Sequence, residues 1–176
     1  MGAGAHASGR PEHWKIPESV LVVIHTRDLD VLLLERVSGL EPGVPYWQSV
    51  TGAKDRPDEP FDAAARREVF EETGIDCRVG SPLESRLRDW GIENVYPIYP
   101  QWRHRYAPEV VFNVERVFGL TLDAPVAVRL SPTEHRHAVW LPWRAAADRC
   151  ASSSNAEAIL MLPRFLEDAD DRACGN

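Results

Sequence analysis

Cysteine is scarce in this chain: three in 176 residues, at positions 77, 150 and 174. They offer neither metal-ligand spacing nor an even set for pairing, which speaks against a disulfide scaffold. A reducing compartment, the cytoplasm, is the expected location. Long apolar runs are missing too. No stretch approaches the ~20 residues that a helix needs to span a bilayer, so no membrane partner is expected. The opening MGAGAHASGRPEHW lacks the apolar segment of a secretory signal and reads as a flexible leader, residues 1–14. An excess of positive charge is also lacking, since 20 Lys and Arg face 27 Asp and Glu for a net charge of −7. That argues against a general binder of nucleic acid polymers, which would present a basic face. A small phosphorylated ligand stays compatible, provided that a local basic cluster or a metal ion holds it.

What is present reads as one soluble globular domain over residues 15–170, with 44% hydrophobic and 27% charged residues. SVLVVIHT (19–26) and VLLLER (31–36) are apolar, β-branched runs around the polar turn RDLD, and read as a strand pair. SGLEPGVPYW is a loop, QSVTG a short strand ending at Gly52, and AKDRPDEP a second loop. Residues 60–73 have helical character, with Pro60 suited to the first turn and Gly74 to the C-terminal cap. IDCRVG, residues 110–122 and HAVWLPW (137–143) read as strands, and a last helix is expected from Asn155 to about Ala169. No internal repeat is evident. Strands before, between and after two helices indicate an α/β or α+β domain with a mixed sheet.

REVFEETG, at 67–74, crowds Glu68, Glu71 and Glu72 onto that first helix. At 100° per residue they share an arc of about 120° with Ala64 and Ala65, close to Val69, while Asp62, Arg66 and Thr73 point the other way. Two carboxylates ~4 Å apart repel by about 4 kcal/mol at an effective dielectric near 20. A solvated charged face is the plain explanation, but the solvated face of this helix is already assigned elsewhere. Acids at a buried edge suit Mg²⁺, a hard cation that takes oxygen ligands.

The stretch GAKDRPDEPFDAAARREVFEETGI, 52–75, resembles the Nudix box. Glycine, a spacer, Glu59, seven residues, then Arg67, Glu68, Glu71, Glu72, Gly74 and Ile75 match its fixed positions. The spacer from Gly52 to Glu59 holds six residues, one more than the family's usual length, so this loop is expected to bulge beside a glycine whose carbonyl the family uses as a metal ligand. The resemblance implies an α/β/α sandwich and hydrolysis of a diphosphate linked to another moiety. It implies Glu68, Glu71 and Glu72 as ligands of Mg²⁺, with Mn²⁺ as a substitute, and Arg67 as the group that orients them by pairing, in part with Glu59. Glu71, Glu72, Glu134 and Arg67 form the implied catalytic set. Gly74 serves equally well as a simple helix cap.

WQSVTG (47–52), RHRYAP with NVERVF (103–118) and TEHRHAVWL (133–141) look like one branch of that family, the dihydroneopterin triphosphate pyrophosphohydrolases of folate biosynthesis. With the first two strands the similarity runs over about residues 15–165. It implies Glu134 as a further metal-reaching carboxylate, and substrate contacts at Lys15, Arg36, Thr51, Tyr96, Pro97, Ile98, Tyr99, Arg105 and Ser152. Plainer readings stand beside these. Glu134 suits an exposed surface, Lys15 and Arg36 suit solvated strand ends, and Thr51 and Ser152 suit turns or caps. The tyrosines of YPIY suit packing as well as stacking on a planar ring, and Arg105 suits a structural ion pair.

The resemblance therefore implies a Mg²⁺-dependent pyrophosphohydrolase that converts dihydroneopterin triphosphate to the monophosphate and pyrophosphate. The alternatives are a (deoxy)nucleoside triphosphate as substrate, or a non-catalytic module that senses a nucleotide or pterin. A module of that kind would be expected to have lost box glutamates, and all of them are present. The expected partner is a small-molecule triphosphate.

Overall fold

The computed structural model describes residues 14–39 and 41–166. The leader expected over 1–14 lies outside them except for Trp14, and so does the last helix beyond 166. The elements run β1 Glu18–Thr26, β2 Asp30–Arg36, β3 Trp47–Gln48, β4 Val50–Ala53, α1 Phe61–Thr73, β5 Leu87–Pro97, β6 Phe112–Leu122, β7 His135–Pro142, α2 Trp143–Arg149 and α3 Ser153–Leu160. One sheet takes the order β3-β2-β1-β6-β5, with β4 also on β1 and β7 on β2. β1 and β6 run parallel, the other strand pairs antiparallel, so the sheet is mixed.

Alternation along β1 divides two cores. Val20, Val22 and Ile24 pack with Ala64, Ala65 and Val69 of α1. Leu21 and Val23 pack on the opposite side with Ala146 and Ala147 of α2 and Ala158 and Ile159 of α3. A strand buried on both faces reads as a continuous apolar run, which is why SVLVVI shows no polar alternation. Each such side chain contributes about 1.5–3 kcal/mol on burial. The result is the α/β/α sandwich that the sequence implies, with α1 on one side and α2 and α3 on the other. The chain also leaves α1 as expected: Gly74 takes the left-handed conformation at φ 74° and its N–H reaches the Phe70 carbonyl.

Several local expectations are corrected. IDCRVG is not a strand: after Gly74 the chain runs irregularly into a turn. The Cys77 carbonyl, which a strand would pair, instead accepts from Arg66 Nη1, which also reaches the Glu84 carbonyl at 3.0 Å. Arg66 thus bridges loops rather than facing open water. Thr73, assigned to the outer face of α1, is buried, because the segment at Arg129 closes over the helix end with its N–H on the Thr73 carbonyl at 2.8 Å. QSVTG is split at Ser49. The Asn155 side chain accepts from the Ser49 N–H at 2.7 Å and donates to its hydroxyl at 2.9 Å, turning the chain from β2 toward β1.

β5 and α2 were not anticipated. β5 carries one buried residue, Leu87, and a register shift between Asp89 and Ile92 around Gly91 at φ 68°, so apolar periodicity is absent. HAVWLPW ends as a strand at Pro142, and Trp143 begins α2 instead. The last helix starts at Ser153, breaks at Met161 and resumes over 162–166. Pro163 lacks the N–H that an uninterrupted helix requires there.

Candidate active site

α1 carries Glu68 and Glu72 on the face that buries Ala64, Ala65 and Val69, while Glu71 stays exposed. Arg67 gathers this group. Its Nε and Nη2 donate to the two Glu59 oxygens at 3.0 and 3.2 Å, and Nη1 donates to Glu68 at 2.7 Å and to Glu71 at 3.3 Å. Nη2 also reaches the Ala53 carbonyl at 2.9 Å. The planar fork thereby ties α1 to β4 and to the loop between them. The loop between β4 and α1 contains a turn in which the Glu59 N–H reaches the Arg56 carbonyl, and Glu59 meets Arg67 from it. Gly52 has a steric role: a Cβ built on it would lie 1.8 Å from the Glu68 carboxyl carbon. Only a residue without a side chain leaves that carboxylate its place.

The repulsion expected among the glutamates shows in their acidities. Burial pushes the Glu68 carboxyl up to about 8, with Glu72 and Glu71 adding to the rise and Arg67 opposing it. Glu72 is raised well above the usual range by burial and then by Glu134, with Arg36 opposing. Neither Glu72 oxygen has a hydrogen-bond partner, and neither has either ring nitrogen of His135. His135 Nε2 lies 3.2 Å from Glu72 Oε2, outside hydrogen-bonding geometry. Burial, then Arg36, lowers the His135 imidazole to about 4, which leaves it neutral at pH 7. Glu72, Glu134 and His135 each turn one ligand atom to a common point, all within 4.8 Å of one another. Two carboxylates and an imidazole, with Glu72 and His135 buried and unpartnered and Glu134 exposed beside them, fit a divalent cation of the Mg²⁺ or Mn²⁺ class.

A cleft of about 960 Å³ opens beside this cluster. Glu68, Glu71, Glu134 and Arg67 line it, together with Lys15, Arg36, Thr51, Tyr96, Ile98, Tyr99, Arg105 and Ser152. Pro97 is not among the lining residues: the alternation of β5 turns Tyr96 inward and Pro97 outward. Lys15 and Arg105 are joined by a backbone hydrogen bond of 2.8 Å. Desolvation and then Arg105 lower the Lys15 ammonium, so these cations stand close together at the rim. Among the described residues, no carboxylate pairs with Arg105. Thr51 accepts from Gln48 at 2.9 Å, and Ser152 caps α3 by accepting from the Asn155 N–H at 3.4 Å. Tyr99 packs edge-on against Trp102, and Tyr96 directs its hydroxyl at Glu115.

Three residues of functional interest were missed in the sequence, His135 in the carboxylate cluster and two on the cleft wall. His135 stands beside Glu134 in TEH, and a histidine next to a candidate ligand was signal enough. Asn113 and Glu115 sit two apart on β6, both buried and both lining the cleft. Polar residues at period 2 within an apolar strand were the trace they left.

Comparison with protein-family models matches residues 15–162 to the NUDIX domain. Comparison with curated proteins found no match. Among solved structures, the E. coli dihydroneopterin triphosphate pyrophosphohydrolase is 38% identical, with 83% of this chain and 94% of that chain covered at a TM-score of 0.71. A C. elegans Ap4A hydrolase in a binary complex is 19% identical, covering 86% of this chain and 98% of that one at a TM-score of 0.62. A bifunctional NMN adenylyltransferase/ADP ribose pyrophosphatase from Francisella tularensis, complexed with AMP and a Mn ion, is 21% identical over 90% of this chain and 43% of that one, at a TM-score of 0.58. The last two share the fold. With its carboxylate helix, its glycine-backed Glu68 and a matching domain over most of its length, this chain belongs to the NUDIX family of hydrolases, which act on phosphoric anhydride bonds.

Proposed function

We propose that this NUDIX hydrolase is a divalent-metal-dependent pyrophosphohydrolase of dihydroneopterin triphosphate, releasing pyrophosphate and leaving the pterin monophosphate. The observation that carries the reading is one cleft lined by carboxylates and cations together with aromatic and polar side chains. The likeness to the E. coli dihydroneopterin triphosphate pyrophosphohydrolase, at 38% identity over 83% of the chain, supports the pterin in particular.

In this reading Lys15, Arg36 and Arg105 hold the polyphosphate, and Thr51 adds a hydroxyl beside it. Arg67 keeps Glu68 in place against Gly52. Glu72 and Glu134, with Glu68 and Glu71 near them, are the residues that would hold the cation, and His135 adds a nitrogen donor. When bound, Mg²⁺ supplies neutralisation of phosphate charge and a more acidic attacking water. Glu71 and Glu134, both open to solvent, are the carboxylates placed to take the water's proton and pass it to bulk. Tyr96, Ile98 and Tyr99 form the wall that meets the ring, with Ser152 opposite. Attack between the α and β phosphates leaves one phosphate on the pterin.

The test is pyrophosphate release from a panel of triphosphates, with and without Mg²⁺. kcat/KM for dihydroneopterin triphosphate should exceed that for dGTP and dATP by roughly tenfold. Glu72→Gln should lower kcat by about 10² with the fold intact, as loss of a charge-stabilising group does elsewhere. Equal or better turnover of a deoxynucleotide would overturn the pterin assignment and leave the anhydride chemistry standing. Full activity in a chelator would remove the role given to the carboxylates.

A further inference from the structure

Where β1, β5 and β6 border the cleft, five side chains form a linked polar network. Asn113 Nδ2 donates to Ser19 Oγ at 2.7 Å and to Tyr96 Oη at 3.0 Å. The Tyr96 hydroxyl donates to Glu115 Oε2 at 3.3 Å, and Asn94 Nδ2 donates to Glu115 Oε1 at 3.2 Å. The register explains the pairs, since Tyr96 lies opposite Asn113 and Asn94 opposite Glu115 on β5 and β6.

The network assigns the amide orientation. Tyr96 has one hydroxyl proton and spends it on Glu115, so its oxygen must accept from Asn113, which puts the Asn113 amide nitrogen on that side. Both amide protons are then committed, and the Asn113 carbonyl oxygen is left over. Asn113 is 3% exposed and Glu115 5% exposed, and Asn113 Oδ1 has no hydrogen-bond partner among the described residues. Buried acceptors without donors are uncommon in folded proteins, and one that lines a ligand cleft points to a donor on the ligand. Glu115, which also meets the Ser154 hydroxyl, adds its remaining lone pairs two residues along the same strand face.

We infer that Asn113 and Glu115 are specificity-determining residues that accept hydrogen bonds from a ring edge made of an endocyclic N–H beside an exocyclic amino group. That edge belongs to the 2-amino-4-oxo pyrimidine ring shared by pterins and guanine. Adenine places a ring acceptor beside its amino group, and hypoxanthine has the N–H without the amino group. Either would leave a buried acceptor unpaired, the kind of mismatch by which polar sites reject near-isosteres. The inference rests on the cleft being the triphosphate site proposed above, and it deepens that reading by naming what this wall selects.

GTP and ITP differ only in the 2-amino group and form the direct test. The parent protein should favour GTP over ITP by about tenfold in kcat/KM. Glu115→Gln keeps the shape and replaces an acceptor oxygen with a donor, and it should bring that ratio within about threefold, mainly through KM for GTP. Asn113→Ser gives the same reading if the first variant melts below the assay temperature. Equilibrium binding of both nucleotides to the parent protein in a chelator reads the same preference if neither is hydrolysed. No GTP preference in the parent, or a preference unchanged in both variants, would overturn the inference. A GTP preference over ITP together with poor turnover of dihydroneopterin triphosphate would leave it standing and remove the pterin assignment alone.

Discussion

Replacing Arg67 with lysine keeps the positive charge and removes the fork. The five N–H groups of arginine meet Glu59 twice, at 3.0 and 3.2 Å, Glu68 at 2.7 Å, Glu71 at 3.3 Å and the Ala53 carbonyl at 2.9 Å. Lysine has three donors on one atom, so at least two of these contacts go unmade. Hydrogen bonds to charged groups contribute about 1.5–3 kcal/mol each. The Arg67 side chain is 20% exposed, which favours the lower end, so the loss should be about 3 kcal/mol. For a protein of this size that is a drop in Tm of about 6–12 °C. Thermal melts of the parent, Arg67→Lys, Glu59→Gln and the double variant form a cycle that isolates the pair. The double variant should lose clearly less than the sum of the single losses, because each change already breaks the shared contact. kcat should fall as well, since Glu68 loses the partner that holds it beside Gly52. A melt within about 2 °C of the parent for Arg67→Lys, or strict additivity in the cycle, would refute the claim that the fork organises the site.

Gly52→Ala should cost more activity than stability. The new Cβ takes the space of the Glu68 carboxyl carbon, 1.8 Å away, so the carboxylate must swing out. kcat should fall by about 10², on the scale of losing a charged group from such a site, and unchanged turnover at saturating Mg²⁺ would count against it. His25 should make the protein sensitive to acid. Burial lowers its imidazole to about 4, while its N–H meets the Thr26 carbonyl at 3.1 Å. The unfolded chain takes up that proton first, at about 6.5, so this contribution is complete above that pH and is lost as pH falls toward 4. Urea unfolding at pH 7 and pH 4.5 should show the parent losing about 2–3 kcal/mol more than His25→Gln. Parallel losses in the two proteins would show that His25 is not the group responsible.

Local chemistry was legible wherever neighbours in the chain are also neighbours in space. The helix over 61–73, its cap at Gly74 and its glutamate face follow from spacing and capping, because an α-helix brings residues three and four apart together. The strand at SVLVVI was legible from its β-branched apolar run, while its burial on both faces emerged only with the packing of α1 on one side and α2 and α3 on the other. β5 was illegible, since an edge strand with one buried residue takes its shape from pairing with β6 and carries no apolar rhythm of its own. IDCRVG misled in the opposite direction: it has strand-like residues, but Arg66 takes the carbonyl that pairing would need.

By itself, the sequence determined the hydrolase family and the carboxylate helix, because both depend on fixed short spacings along one element. Tertiary structure alone decided which carboxylates are buried and unpartnered, why Gly52 must be glycine, and that His135 joins Glu72 and Glu134. It also decided that Asn113 and Tyr96, 17 positions apart, share a hydrogen bond. Burial and orphaned acceptors arise only when β1, β5, β6 and α3 close around the same space, and no local pattern in the chain encodes that closure.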